Sequence, residues 1–334
     1  LSDDFLSHFS SAHLNIIGWG NQAQTWAANL HDSGWSVRVY LRDPQKHPDI
    51  PSWVQIKTLS KHLPIEPGLT ALLIPDHTLS EFVKDHTFQT PQVLIYAHGW
   101  ALTTQPLPSS RDLYPVLLAP KAIAAEMRQA YKAHRPFGAV YSLEFVADVH
   151  LKEKLRSLIL NLASALGVQW GPFEVTCQQE TQADLFSEQA LLCSLIPELA
   201  RRSFEFLVNK GIPHELAYLE VWHEMTLITK TLGDIGPEKF FKAISPAALL
   251  GAQEGLNTFD FQTIDMGFEK LWANIEDGSF AQQMNNDQAH SLLQDKILKT
   301  REDLTNRWLQ GHFLQTFSSH FSPSSEKPTP EERT

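Results

Sequence analysis

Asp184 and Glu188 stand four apart in the run Glu180-Thr-Gln-Ala-Asp-Leu-Phe-Ser-Glu-Gln189, and Glu220 and Glu224 repeat that spacing in Tyr218-Leu-Glu-Val-Trp-His-Glu. Both runs have helical character, and positions i and i+4 of a helix share one face, about 5–6 Å apart. Each pair sets two negative charges side by side. That weakens a bare helix by roughly 0.2–0.5 kcal/mol, and burial without a counter-charge adds to the cost. A divalent cation turns the same arrangement into a binding site. Hard carboxylate oxygens suit Mg2+, which keeps several waters and bridges to substrate oxygens.

A second chemistry-bearing stretch lies near the start of the chain. Leu14-Asn-Ile-Ile-Gly-Trp-Gly20 reads as a strand running into a glycine turn. Asn21-Gln-Ala-Gln-Thr-Trp-Ala-Ala-Asn-Leu30 then reads as a helix ending at Asp32-Ser-Gly34, and Val37–Leu41 reads as a second strand. The unit carries Gly18-x-Gly20-x-x-Ala23 at the position of a dinucleotide-binding fingerprint. The first glycine permits the turn, the second lets backbone approach a pyrophosphate, and Ala23 allows close helix–strand packing. The phosphates then sit on the helix N-terminus, where N–H groups and the dipole favour anions. An acid after the second strand selects a ribose hydroxyl, whereas basic groups select a 2′-phosphate. Leu41-Arg-Asp-Pro-Gln-Lys-His47 holds Arg42, Lys46 and His47, which favour NADP. Asp43 opposes that choice or pairs with Arg42.

Elements must bring these groups together. Thr70–Ile74, Gln92–Tyr96, Val116–Ala119 and Gly138–Leu143 read as further strands. Open α/β sheets bind ligands beyond the carboxyl ends of their strands, and His98 and Lys121 occupy two such ends. Leu151–Leu166 reads as a helix and Gly167–Glu174 as carrying a last short strand. Beyond Cys177 the pattern is helical: Asp184–Asn209, bent at Pro197, then Pro213–Leu232, Lys239–Ile244, Phe261–Gly278 and Gln288–Leu309. The expected organisation is a Rossmann-type, doubly wound α/β domain over residues 1–177 and an all-α domain over residues 178–321. The polar, proline-rich segment 322–334 is expected to be disordered.

The 334 residues allow two domains with sizeable cores. A net charge of −11 disfavours nucleic acid as a partner. No apolar run approaches the roughly 18–20 residues of a membrane span, and the first residues lack the basic and apolar regions of a signal peptide. Cys177 and Cys193 show no metal-type spacing, and reduced thiols are expected. A cytoplasmic protein follows as the expectation.

The ordered set of motifs resembles ketol-acid reductoisomerase, in its short, bacterial-type class, from about residue 14 to about residue 300. The specific blocks are Glu180-Thr-x-x-Asp-Leu-Phe-x-Glu-Gln-Ala-x-Leu-Cys193 and Ala217-Tyr-x-Glu-x-x-His-Glu224, with Gly18-x-Gly-x-Gln22, Ala97-His-Gly99, Ala119-Pro-Lys121, Ile244-Ser245 and Ile275–Ala281. The resemblance implies NADP(H) and two Mg2+ ions as cofactors, with isomerisation and reduction of a 2-hydroxy-3-keto acid such as 2-acetolactate. It implies that Gly18, Trp19, Gly20, Asn21, Gln22, Arg42, Lys46 and His98 bind the dinucleotide. Asp184 and Glu188 would hold the metals, with Glu220 and Glu224 supplied by the partner of a homodimer. His98, Lys121 and Glu224 would line the reacting centre, and Ser245 would bind the substrate carboxylate. A knotted helical domain is implied as well.

Several positions depart from the family. Ala122-Ile-Ala-Ala-Glu-Met-Arg128 looks helical where a Pro-Gly loop is usual. Ala23-Gln24 replaces a Gly-His pair, Pro-Ala-Ala-Leu-Leu follows Ser245, Lys230 replaces an acid and Gly233 an aromatic. Two further readings therefore stand beside the first: a metal-assisted NADP-dependent reductase of another 2-ketoacid, and a non-catalytic NADP-binding paralogue.

Overall fold

The computed structural model describes residues 12–108 and 112–284. The chain divides into two compact units, Leu1–Leu185 and Phe186–Thr334. The first is built on an eight-stranded sheet with β1 (His13–Ile17), α1 (Asn21–Asp32), β2 (Ser36–Leu41), β3 (Gln55–Thr58), β4 (Gly68–Leu72), α2 (Leu79–Asp85), β5 (Gln92–Tyr96), α3 (Trp100–Thr104), β6 (Leu113–Pro120), α4 (Ala124–Lys132), β7 (Gly138–Ser142), α5 (Val149–Leu166), β8 (Trp170–Glu174) and α6 (Cys177–Ser187). Strand order is β3-β2-β1-β4-β5-β6-β7-β8, and only β6 and β7 pair antiparallel. This is the doubly wound order expected of a Rossmann-type domain, extended by an extra pair at one edge.

The central strands are near-continuous apolar runs, as parallel strands covered on both faces must be. Leu14, Ile16, Val39, Ala71, Val93, Ile95, Val116 and Leu118 are buried in one core with Trp26, Leu155 and Ile159. Helix α1 packs against α4 and α5. Polar bonds also lace it to α4: Thr25 donates to Ala124 O at 3.1 Å, and Arg128 donates to Asn29 and Asp32 at 2.8 and 2.7 Å. The helical reading of the segment after Lys121 is thereby realised as α4. Strand β3 carried too weak a pattern to be read from sequence, because all four of its residues are exposed. Its crossover from β2 holds only a 3-10 turn, Pro44–Lys46.

The second unit is helical: α7 (Leu195–Asn209), α8 (His214–Tyr218), α9 (Glu224–Ala243), α10 (Pro246–Thr258), α11 (Phe261–Glu276) and α12 (Ser279–Met284). The long helix read over Asp184–Asn209 does not form as one piece. α6 ends at Ser187, a π-helical turn covers Glu188–Leu192, and the chain breaks before α7. Pro197 therefore lies in the first turn of α7, where its missing N–H costs nothing, and it bends nothing. The helix read over Pro213–Leu232 is likewise α8, a π turn at Leu219–His223 and then α9, which kinks at Gly236-Pro237. Phe186 meets Phe268 and Trp272 of α11 edge-on, with centroids 5.5 and 5.7 Å away. The helix read over Gln288–Leu309 and the tail read from Ser322 lie outside the described residues. No described helix is long and apolar enough to cross a membrane.

Candidate functional site

Three chain segments of the first unit converge at one edge of the sheet. Strand β5 ends at Tyr96 and leads through Ala97 to His98 and Gly99. Strand β6 ends at Pro120 and leads to Lys121, whose backbone N–H donates to Gly138 O at 2.8 Å. Helix α6 presents Glu180 and Asp184 one turn apart. Lys121 Nζ lies 2.5 Å from Glu180 Oε1 and 2.8 Å from Asp184 Oδ1. Glu180 Oε2 accepts the Gly99 N–H at 2.6 Å. His98 Nε2 sits 3.0 Å from Asp184 Oδ2 and 4.0 Å from Glu180 Oε2. The first of these contacts is close but poorly aligned for a hydrogen bond.

The electrostatics follow from burial against charge. The Glu180 side chain is completely buried. Burial alone would lower the Lys121 ammonium, but the Glu180 and Asp184 carboxylates outweigh it and raise its pKa. Burial likewise pulls His98 down, and Asp184, Glu180 and Asp76 together push it above its usual value. Asp184 would be raised by burial, yet its close contact with His98 and its bond to Lys121 prevail and hold it at about 2. Asp76, at the end of the β4 segment, is raised, chiefly by burial. Glu180 and Asp184 thus hold Lys121, and with Asp76 they act on His98.

His98, Glu180 and Asp184 bring ligand atoms within 4.8 Å of one another, a grouping able to hold a metal ion. The donor chemistry narrows the choice. Glu180 engages both oxygens, one with Gly99 and one with Lys121. His98 Nδ1 accepts the Trp100 N–H at 3.3 Å, which assigns the ring proton to Nε2 and makes that atom a donor rather than a ligand. Asp184 is the member of this group whose chemistry suits a hard cation. Glu188 opens the first π turn, Glu220 lies in the second, and Glu224 opens α9. All three are exposed, and π turns recur at functional positions in helices. Ser245 caps α10 by accepting Ala248 N–H at 3.2 Å.

The glycine turn has the geometry of a phosphate cradle. Gly18 has φ +95°, and a Cβ there would lie 2.8 Å from Leu73 O. A Cβ on Gly20 would meet nothing within 4 Å, and no side chain caps the N-terminus of α1. Space is therefore open where a pyrophosphate would approach. Gln22 of this turn donates to Ala122 O at 3.5 Å, beside Lys121. Asp43 pairs with Lys46 at 3.6 Å, not with Arg42, and Arg42, Lys46 and His47 are exposed. A cleft of about 380 Å³ adjoins the turn, lined among others by Trp19, Gln24, Lys46, His47 and Trp53.

Of the residues singled out by sequence, His98, Lys121 and Asp184 come together in the first unit, and Gly18, Trp19, Gly20, Asn21 and Gln22 form the cradle. Glu188, Glu220, Glu224 and Ser245 belong to the second unit. Sequence reasoning assigned no role to Glu180, Gly99 or Asp76. Glu180 carried a signal, since it precedes Asp184 by the same four residues that separate Asp184 from Glu188.

Two family models match the chain. Residues 8–171 match "Acetohydroxy acid isomeroreductase, NADPH-binding domain" and residues 177–315 match "Ketol-acid reductoisomerase, C-terminal domain". The chain is 28% identical over 285 residues to the ketol-acid reductoisomerase (NADP(+)) of Helicobacter acinonychis (strain Sheeba), covering 83% of this chain and 84% of that protein. It is 28% identical over 308 residues to the protein of the same name from Kocuria rhizophila, covering 90% and 89%. Among solved structures, an NADH-preferring ketol-acid reductoisomerase from an uncultured archean is similar in fold, with a TM-score of 0.71 at 22% identity over 94% of this chain and 95% of that one.

Proposed function

The chain belongs to the ketol-acid reductoisomerase family of NADP-dependent oxidoreductases, and from that premise we propose that it converts 2-acetolactate or 2-aceto-2-hydroxybutyrate into a 2,3-dihydroxy acid, using Mg2+ and NADPH, in branched-chain amino-acid synthesis. One observation carries the reading. Lys121 is fixed between Glu180 and Asp184 and beside His98, at the strand ends where a dinucleotide domain places its substrate.

In this reading Asp184 and Glu188 hold two Mg2+ ions, and Glu220 and Glu224 of a second copy complete the set. Bound Mg2+ supplies Lewis acidity, polarising a carbonyl and stabilising an alkoxide. Lys121 and the His98 Nε2–H donate to substrate oxygens as negative charge gathers on them. Ser245 binds the substrate carboxylate, and Glu224 stands at the migrating centre. The C2 hydroxyl gives its proton to a carboxylate of the site. The alkyl group moves with its bonding pair from C2 to C3, so C2 becomes a carbonyl and the C3 oxygen takes a proton. Bound NADPH would supply the hydride that reduces C2, and a second proton would complete the diol. The cradle at Gly18–Gln22, with His98, would hold the dinucleotide, and Arg42 and Lys46 would meet its 2′-phosphate.

The helical unit supports a homodimer with shared sites. Among its described residues only Ala190, Ala200, Phe204, Ala217 and Phe240 are buried, while Leu192, Phe206, Leu250 and Phe259 are more than half exposed. The exposed apolar side chains among these residues are surface that a second copy could cover. A knotted helical domain and a cytoplasmic location complete the proposal. NADPH oxidation with 2-acetolactate, with and without Mg2+, tests it. Asp184→Asn is expected to abolish metal-dependent turnover and to leave NADPH binding intact. Wild-type protein that binds NADPH and Mg2+ yet never turns over 2-acetolactate would overturn the proposal.

A second reading, reduction of another 2-ketoacid, draws support from the Ser245 hydroxyl, which is engaged in capping α10. Faster turnover of a 3-hydroxypyruvate-type ketoacid than of 2-acetolactate would favour it.

A further inference from the structure

We propose that Gly99 is a positioning residue for this reaction, acting through Glu180: the missing side chain lets α6 approach closely enough for Asp184 to meet Lys121 and His98. The inference rests on the reading of Asp184 as a metal ligand. Gly99 has φ −77° and ψ −16°, ordinary values for any residue. Glycine is therefore not needed for backbone freedom; it is needed for space. A Cβ at this position would lie 2.6 Å from Glu180 Oε2, 2.6 Å from Thr181 Oγ1 and 2.7 Å from Cys177 O. All three atoms belong to the first half of α6, and the third is backbone that cannot swing aside.

The neighbouring side chains are also held. Thr181 donates to Cys177 O at 2.8 Å, and Glu180 is tied at both oxygens. Thr103 meets Thr181 at 3.5 Å and donates to Gly99 O at 3.3 Å. An added Cβ must move α6 and the Gly99 loop apart. The Lys121 contacts to Glu180 and Asp184, at 2.5 and 2.8 Å, would open with it. The cradle at Gly18 is built against Leu73 and Ile74 and shares none of these contacts. Metal and substrate geometry should suffer most, while the dinucleotide, held chiefly by that cradle and only in part by His98, should keep most of its affinity.

The test uses the full chain with Gly99→Ala, read by Mn2+ calorimetry, NADPH fluorescence titration, thermal unfolding and steady-state kinetics. The expected result is a split. NADPH affinity stays within about twofold, while Mn2+ affinity falls about tenfold and kcat about a hundredfold, the scale of an ångström misplacement. Thr181→Ala in the same background removes one of the three clashes and should recover part of the loss. Glu180→Asp withdraws the carboxylate from Gly99 and Lys121 without adding a Cβ, and it should give the same split if Gly99→Ala does not fold. Wild-type Mn2+ affinity and kcat in Gly99→Ala would overturn the inference, as would parallel loss of NADPH and Mn2+ binding. Asp184→Asn separates the two levels. If it binds Mn2+ normally, the metal assignment fails; if it loses Mn2+ while Gly99→Ala does not, only the role of Gly99 fails.

Discussion

At the scale of single residues, charge balance dominates. Asp184 gains more from Lys121 and His98 than it loses by burial, so its carboxyl titrates at about 2 against an ordinary 3.8. A carboxyl depressed on folding stabilises the folded state above its unfolded pKa, and that stability is lost as pH falls through the folded value. The window therefore runs from about pH 4 down to about pH 2, and the shift corresponds to about 2 kcal/mol. Urea unfolding of metal-free protein across this range should show the wild type losing about 2 kcal/mol more than Asp184→Asn. Parallel curves would mean that the ion pairs with Lys121 and His98 contribute nothing. Glu180 follows a different logic. It is a fully buried acid whose two oxygens are both engaged, so its place is to hold Lys121 rather than to meet a ligand.

Elements decide how those residues are presented. The turn from β1 to α1 tolerates only glycine at position 18, for two independent reasons: φ is +95°, and Leu73 O blocks a Cβ at 2.8 Å. Gly18→Ala is expected to destabilise the protein by about 1–3 kcal/mol through backbone strain, with the clash adding to it. NADPH binding should weaken in fluorescence titration, whereas Gly20→Ala, facing open space, should leave stability nearly unchanged. Equal destabilisation by the two substitutions would refute this assignment of roles. The acid pairs are set by the helices in a less obvious way. Glu188 and Glu220 lie in π turns, which the i,i+4 reading of an ideal α-helix did not anticipate. A π turn widens the helix by one residue per turn, and side-chain spacing alone does not encode where it falls.

For the whole molecule, few of the described residues of the helical unit are buried, and the acids Glu220 and Glu224 are exposed. If a second copy supplies those acids, two inactive proteins should complement each other. Mixing Asp184→Asn with Glu224→Gln, after dissociation and reassociation, should restore about a quarter of wild-type activity, because half the dimers are hybrid and one site in each is intact. No recovery from verified hybrids would mean that each chain carries its own complete set.

The sequence by itself determined the local periodicities and the residues of the cradle. Alternating elements and near-continuous apolar strands specify a parallel sheet. A strand–glycine–helix order specifies an anion-binding turn, and the ordered motifs specify the family. These signals are local, and each is written within a few residues of chain. The exposed strand β3 escaped because four solvated residues carry no pattern. The break of the long helix at Cys193-Ser194 escaped because apolar spacing continues across it. Only the tertiary structure decided that Glu180, 59 positions beyond Lys121, meets it at 2.5 Å. Only it gave Gly99 its reason, since φ at that position is unremarkable and the constraint comes from a helix 78 residues away touching the loop. Contacts at such sequence separations depend on how strands and helices pack, and no short-range pattern records the distance between two elements once they have packed.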